Sequence, residues 1–132
     1  MCLSYIAVWS TNSPLFTVRK KDMSPKILQL NVTFSVSKTE LETAWLEAAQ
    51  AIADWPGLRW KVWLMNEVEH EAGGIYLFES EAAAQSYVDG PIANALKSSP
   101  VISNFSAKLF DTMESHTAIT RGPLGSTVDV AA

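Results

Sequence analysis

This sequence is short of several residue types, and each shortage excludes a class of protein. Cys2 is the only cysteine among the 132 residues, so an intrachain disulfide is impossible. That favours a reducing compartment and a cytoplasmic location. The formal net charge is -4, with acidic and basic residues scattered along the chain. Nucleic acid and anionic membranes both require a basic face, so neither is expected as the main partner.

Long apolar runs and internal repeats are also missing. No run approaches the roughly 20 apolar residues that span a bilayer. A length of 132 residues suits one domain with a substantial core. We interpret residues 1–22 as an extension outside the fold, with covering a pocket or a partner subunit as the alternative. We expect residues 23–123 to form the domain and residues 124–132 a loosely held tail.

The first part of the domain predicts a strand followed by a helix. Residues 27–34 alternate between apolar and more polar side chains, as in a strand with one buried face. Ser37 and Glu40 have the spacing of a capping box, which begins a helix. The helix is expected to continue to about Asp54, because Pro56 cannot continue it.

Two runs of aromatic and branched residues, 58–65 and 72–79, predict a β-hairpin with a polar turn. Alternation places Leu58 and Trp60 on one face and Lys61 on the other. Gly73 and Gly74 lie inside the return arm, where glycine marks a bulge or the close approach of another group. The amine of Lys61, between two tryptophans, must reach water or a partner.

The remaining elements complete an α+β, ferredoxin-like order of β-α-β-β-α-β with an antiparallel sheet. Ser80 begins a second helical region, residues 89–91 interrupt it, and residues 101–113 hold the last strand, followed by a polar segment. Both faces of the hairpin are largely apolar, whereas one layer of helices covers only one face. A second subunit must cover the other face, so the sequence predicts a homodimer.

No strong catalytic or metal-binding motif is present. His70 belongs to an acidic turn that would direct possible ligands apart, and His116 is expected as a solvated residue. The unusual feature is a set of aromatic residues that, with Asn31, Lys61 and Glu71, predicts an apolar small-molecule pocket, although any single ring is ordinary core. The residues expected to contact a ligand are Trp45, Trp60, Trp63, Gly74, Phe78 and Tyr87.

The strings WKVW at residues 60–63 and HEAGGIYLF at residues 70–78 resemble the signature of the YdhR-type monooxygenases of the dimeric α+β barrel superfamily. The resemblance runs from about residue 27 to about residue 123. Some superfamily members oxidise polycyclic phenols with dioxygen and without metal or flavin. The resemblance therefore implies a cofactor-independent monooxygenase that acts on an aromatic or polyketide-like compound in secondary or aromatic metabolism.

This resemblance also implies roles for four residues. Lys61 would stabilise the substrate anion, Asn31 and Tyr76 would orient it, and Glu71 would pair with Lys61 or act as the base. The alternative is structural, with Lys61 and Glu71 forming a cross-strand ion pair that sets the hairpin register.

Other functions stay open at this point. A non-redox isomerase or cyclase could use the same acid–base groups, and a stress protein could bind a small molecule without turning it over. Haem degradation, known elsewhere in the superfamily, fits less well, because neither histidine is expected on a helix from which it could ligate iron in the pocket.

Overall fold

A four-stranded antiparallel sheet carries three of the four described helices on one of its two faces. The computed structural model describes residues 24–124, so the predicted extension and nearly all of the predicted tail lie outside the described residues. The elements are β1 (Lys26–Phe34), α1 (Lys38–Ala53), β2 (Leu58–Asn66), β3 (Glu71–Phe78), α2 (Glu81–Val88), α3 (Pro91–Ser98), β4 (Ile102–Asp111) and α4 (Glu114–Ile119). The predicted ferredoxin-like fold class is confirmed.

The strand order is β2-β3-β1-β4, and strand alternation divides the side chains between two faces. On the face covered by helices, Leu28 of β1 lies between Tyr76 of β3 and Leu109 of β4. The largest fully buried side chains include Leu28, Leu30, Tyr76 and Phe78. The core therefore lies between the helices and this face of the sheet.

Local signals in the sequence begin and end the helices as predicted. The hydroxyl of Ser37 accepts from the backbone N–H of Glu40, and the Glu40 carboxylate accepts from the backbone N–H of Ser37 at 3.0 Å, which completes the capping box. Ser80 caps α2 in a similar way. Gly90 and Pro91 separate α2 from α3. Pro91 can begin α3 because the first residue of a helix needs no partner for its backbone N–H.

Two details differ from the prediction. The register of β2 shifts between Leu58 and Trp60, so Leu58 pairs with Phe78 and packs against the core instead of sharing a face with Trp60. The segment after β4 contains helix α4, where only polar chain is expected. The indole N–H of Trp60 donates to the carbonyl oxygen of Pro123 at 2.5 Å. The two residues are far apart in the sequence, so nothing in the local sequence of residues 114–119 predicts this contact.

The second face of the sheet, called the open face below, carries Trp60, Val62 and Leu64 of β2 and Ile75 of β3. The segment of residues 112–124 covers its Trp60 end, while Val62 remains 53% exposed. Across the described residues, no helix is both long and apolar enough to cross a membrane.

Strands β1 and β3 approach each other closely at Gly73, and a substitution there tests this contact. A β-carbon there would overlap the carbonyl oxygen of Leu30, a backbone atom that the sheet holds in place. We expect Gly73→Ala to lower the free energy of unfolding by about 3 kcal/mol, at the upper end for overpacking. Gly74→Ala is the matched control: its β-carbon would lie 2.5 Å from Cε of Lys61, a flexible side chain that can move away. Urea unfolding measures both losses, and equal losses would contradict the assignment.

Candidate active site

A cavity of about 440 Å³ lies between the helix-covered face of the sheet and helices α1, α2 and α3. That volume is within the range of small-molecule sites. Its wall is mostly apolar, with Leu30, Leu41, Trp45, Trp63 and Leu96 among the contributors. Its polar side chains in the described part of the chain are Glu40, Lys61, Tyr76, Tyr87 and Ser99.

The Lys61 amine lies against two aromatic rings of this cavity. Its Nζ is 3.3 Å from the centroid of the Trp63 ring and 4.5 Å from that of Tyr76, an arrangement in which the ring faces attract a cation. Lys61 reaches this place because its Cα pairs with Tyr76 across the β2–β3 ladder. The missing side chain of Gly74 leaves room for the lysine stem.

No carboxylate neutralises this amine among the described side chains that line the cavity. The one carboxylate there belongs to Glu40, and it accepts the backbone N–H of Ser37. The buried Lys26 provides a contrast, because its amine forms an ion pair with Asp111. Burial without such a partner lowers the pKa of Lys61 from 10.5 to about 7. Neutral amine and ammonium therefore both exist near pH 7.

Tyr76 and Tyr87 form a second functional group in the same cavity. Their hydroxyl oxygens are 3.0 Å apart in a buried hydrogen bond. Burial raises the pKa of both hydroxyls, and the neighbouring Tyr87 raises the pKa of Tyr76 further. Both phenols consequently stay protonated at neutral pH. One O–H serves the hydrogen bond within the pair, so the other can donate to a ligand oxygen.

Half of the sequence-predicted site residues meet at this cavity. They are Trp45, Lys61, Trp63, Tyr76 and Tyr87. Gly74 lies beside them as the neighbour of the Lys61 stem. Phe78 is on the same face but is fully buried in the core, where it stacks on Tyr76 at 5.8 Å and does not line the cavity.

The other three predicted site residues lie on the open face. Asn31 pairs with Gly73 and Ser106 there, and the indole of Trp60 binds Pro123. Glu71 pairs with Asn66, five positions from the Lys61 partner on β3. The register thus leaves Lys61 and Glu71 on opposite faces, so the predicted ion pair does not form. Asn31 and Glu71 cannot reach a ligand held beside Lys61.

Sequence reasoning missed Glu40 and Ser99 as cavity residues. The capping box already explains Glu40, and Ser99 directly follows α3, so nothing in the sequence indicated that either residue lines a cavity. Of the two histidines, His116 lies on helix α4, away from the main cavity. It lines a separate cavity of about 410 Å³ beside Trp60, and neither histidine lines the main cavity. Within residues 24–124, no cluster of three potential metal ligands occurs.

The chain is similar to a known family and to several solved structures. The family model described as "Putative mono-oxygenase ydhR" matches residues 27–123. SnoaB, a cofactor-independent oxygenase from Streptomyces nogalater, is 18% identical with a TM-score of 0.55, and the match covers 67% of this chain and 93% of SnoaB. No curated protein sequence matches.

Two further structures share the fold. The heme-degrader MhuD from Mycobacterium tuberculosis, solved with two hemes bound in its active site, is 22% identical with a TM-score of 0.52, covering 66% of this chain and 95% of MhuD. The protein NE2512 of unknown function from Nitrosomonas europaea is 19% identical with a TM-score of 0.55, covering 70% and 92%. At these identities the likeness establishes the fold.

The buried amine makes stability depend on pH. Lys61 has a lower pKa in the folded chain than in the unfolded chain, so the unfolded chain binds more protons between pH 7 and pH 10.5. Stability from this group therefore rises with pH across that window, and its full penalty applies below pH 7. We expect Lys61→Met to be more stable than the wild type by about 1 kcal/mol or more near pH 7. That advantage should shrink towards pH 10.

Urea unfolding at several pH values between 6.5 and 9.5 measures this difference. Lys97→Met is the matched control, since Lys97 also contacts an aromatic ring, at 5.1 Å, but is exposed. It should show no such trend. A constant difference between wild type and Lys61→Met over the whole range would contradict the assignment.

Proposed function

This chain belongs to the YdhR family, and from that premise we propose that it is a cofactor-independent monooxygenase of hydrophobic aromatic, polyketide-like small molecules. The family match over residues 27–123 confirms the predicted resemblance. One observation carries the proposal: an amine that pairs with no carboxylate of residues 24–124 projects into an apolar cavity beside a protonated tyrosine pair. The catalytic roles below follow from that arrangement.

Lys61 serves as both base and counter-ion in this proposal. The neutral amine accepts the proton of a phenol or enol, and the resulting ammonium then stabilises the anion that it has created. The free O–H of the Tyr76–Tyr87 pair donates to the same oxygen and orients it. This division of labour replaces Glu71 as base and Asn31 as orienting group, since both lie on the open face.

The substrate supplies the electrons for dioxygen. A polycyclic phenol whose keto tautomer carries a CH₂ group transfers electrons to dioxygen once it is deprotonated. One oxygen atom then becomes a carbonyl at that carbon, and the other leaves as water with the two hydrogens. The apolar side chains around Trp45 and Trp63 make the surroundings of the anion less polar than water, which strengthens the contacts that hold it.

The SnoaB likeness supports the same reaction class, because that protein is a cofactor-independent oxygenase with this fold. A place in secondary or aromatic metabolism and a cytoplasmic location, which the single cysteine favours, belong to the proposal. A non-redox isomerase or cyclase and a binding protein are its rivals, as they could use the same cavity. Haem degradation has less support here, because no described histidine faces the main cavity.

Oxygen uptake with a panel of polycyclic phenols tests the reaction. We expect kcat/KM to rise with pH up to about 7 and then to level off, because the neutral amine is the active form of Lys61. Lys61→Met should lower kcat/KM by about 100-fold and remove this pH limb. Lys97→Met, an exposed lysine outside the cavity, should leave both unchanged.

Each alternative gives a different result. Product without oxygen uptake indicates an isomerase or cyclase, and binding without product indicates a binding protein. An unchanged rate and pH profile in Lys61→Met would remove Lys61 from the chemistry. A shift of the haem Soret band on titration with the protein would favour haem degradation, provided that a phenol bound in the main cavity prevents the shift.

A homodimer completes the proposal. Val62, Leu64 and Phe110 on the open face are 53%, 36% and 43% exposed, and such side chains on one sheet face favour a partner. The occupant that fits is a second copy, because two sheets pack face to face through apolar rows of this kind.

Val62→Asp tests the dimer. A carboxylate buried between two sheets without a partner is strongly disfavoured, so we expect the variant to be a monomer at micromolar concentrations in sedimentation equilibrium. Val68→Asp is the matched control, since Val68 is 86% exposed in the hairpin turn and away from the open face. A wild-type monomer, or a Val62→Asp dimer as stable as the wild type, would contradict the proposal.

A further inference from the structure

Lys61 has the surroundings of a nucleophile as well as those of a base. We propose that its amine forms an imine with hydrophobic aldehydes and ketones that enter the main cavity. Imine formation needs neither dioxygen nor turnover, so it can be tested independently of the monooxygenase reaction.

The contacts of the amine leave it available for a covalent bond. Its neighbours are the ring faces of Trp63 and Tyr76, and neither forms a directional bond that holds the nitrogen lone pair. An amine held in an ion pair, as Lys26 is with Asp111, must first break that pair. Lys61 therefore combines partial burial with a nitrogen that forms no ion pair to a side chain of residues 24–124, the setting in which lysines act as nucleophiles.

Few titratable side chains line this cavity on the described elements packed around the amine. Tyr76 of β3 and Tyr87 of α2 are uncharged donors, and the Glu40 carboxylate of α1 is engaged by the Ser37 N–H. Helix α3 contributes no titratable side chain to the cavity wall in the described chain. No described carboxylate on these elements pairs with the amine, so only the ring faces of Trp63 and Tyr76 oppose its desolvation, and the pKa of Lys61 is lowered to about 7.

The reaction balances without any other reagent. The nitrogen lone pair attacks the carbonyl carbon, and the carbonyl oxygen takes up a proton to give a carbinolamine. The nitrogen then loses its second proton, the oxygen leaves as water, and a C=N bond replaces C=O. The free O–H of the Tyr76–Tyr87 pair can donate to the departing oxygen.

The cavity selects which carbonyl compounds react. A volume of about 440 Å³ admits a compound of two or three fused rings, and burying such rings against Trp45, Trp63 and Leu96 supplies the binding energy. A small polar aldehyde gains nothing from this wall. The substrate class is therefore a hydrophobic aromatic aldehyde or ketone.

Reductive trapping tests the proposal. The full chain is incubated with 2-naphthaldehyde and sodium cyanoborohydride near pH 7, without oxygen, and the modified lysines are identified by peptide mapping. We expect Lys61 to be modified at least about 10-fold faster than the exposed Lys97, because the cavity holds the naphthalene ring beside Lys61 and burial lowers the pKa of this amine to about 7. With glycolaldehyde, which is small and polar, Lys61 should not be modified preferentially over Lys97.

Variants separate the site from general lysine chemistry. Lys61→Met should lose the fast modification, and Lys97→Met, exposed and away from the cavity, should keep it. Mapping on the wild-type chain needs no variant to fold, so the comparison stands if Lys61→Met proves unstable. Modification of Lys61 no faster than Lys97, or equal preference with glycolaldehyde, would overturn the proposal.

Discussion

The β1–β3–β2 pairing depends on two consecutive positions without a side chain. At Gly73 the Leu30 carbonyl of β1 occupies the space that a β-carbon would need, and at Gly74 the stem of Lys61 does so. The first contact sets how closely two strands approach, and the second sets where an amine lies. Register and candidate chemistry therefore share one local cause, the glycine pair.

The surroundings of Lys26 and Lys61 in this sheet are opposite in kind. Lys26 meets Asp111 across the β1–β4 ladder, and the pair satisfies both charges. Lys61 contacts aromatic rings, and its amine is desolvated without an ion pair to any carboxylate in the described part of the chain. Such a local conflict between residue type and surroundings is typical of functional sites, where chemistry opposes stability.

Alternation and capping in the sequence were enough to predict the strands, the helix starts and the fold class. Alternation also separated Lys61 from Trp60 within β2. It could not relate β2 to β1 or β3, because the faces of different strands are joined only by register. That is why Asn31 and Glu71 were grouped with Lys61 and lie on the other face. Helix α4 was not predicted. It lies near Trp60 because Trp60 contacts Pro123, and these two residues are far apart in the sequence.

The main cavity and the open face lie on opposite sides of one sheet. A second copy packed on the open face would have the thickness of the sheet between itself and this cavity wall. Association through that face would raise the stability of the fold by mass action without having to cover the residues around Lys61.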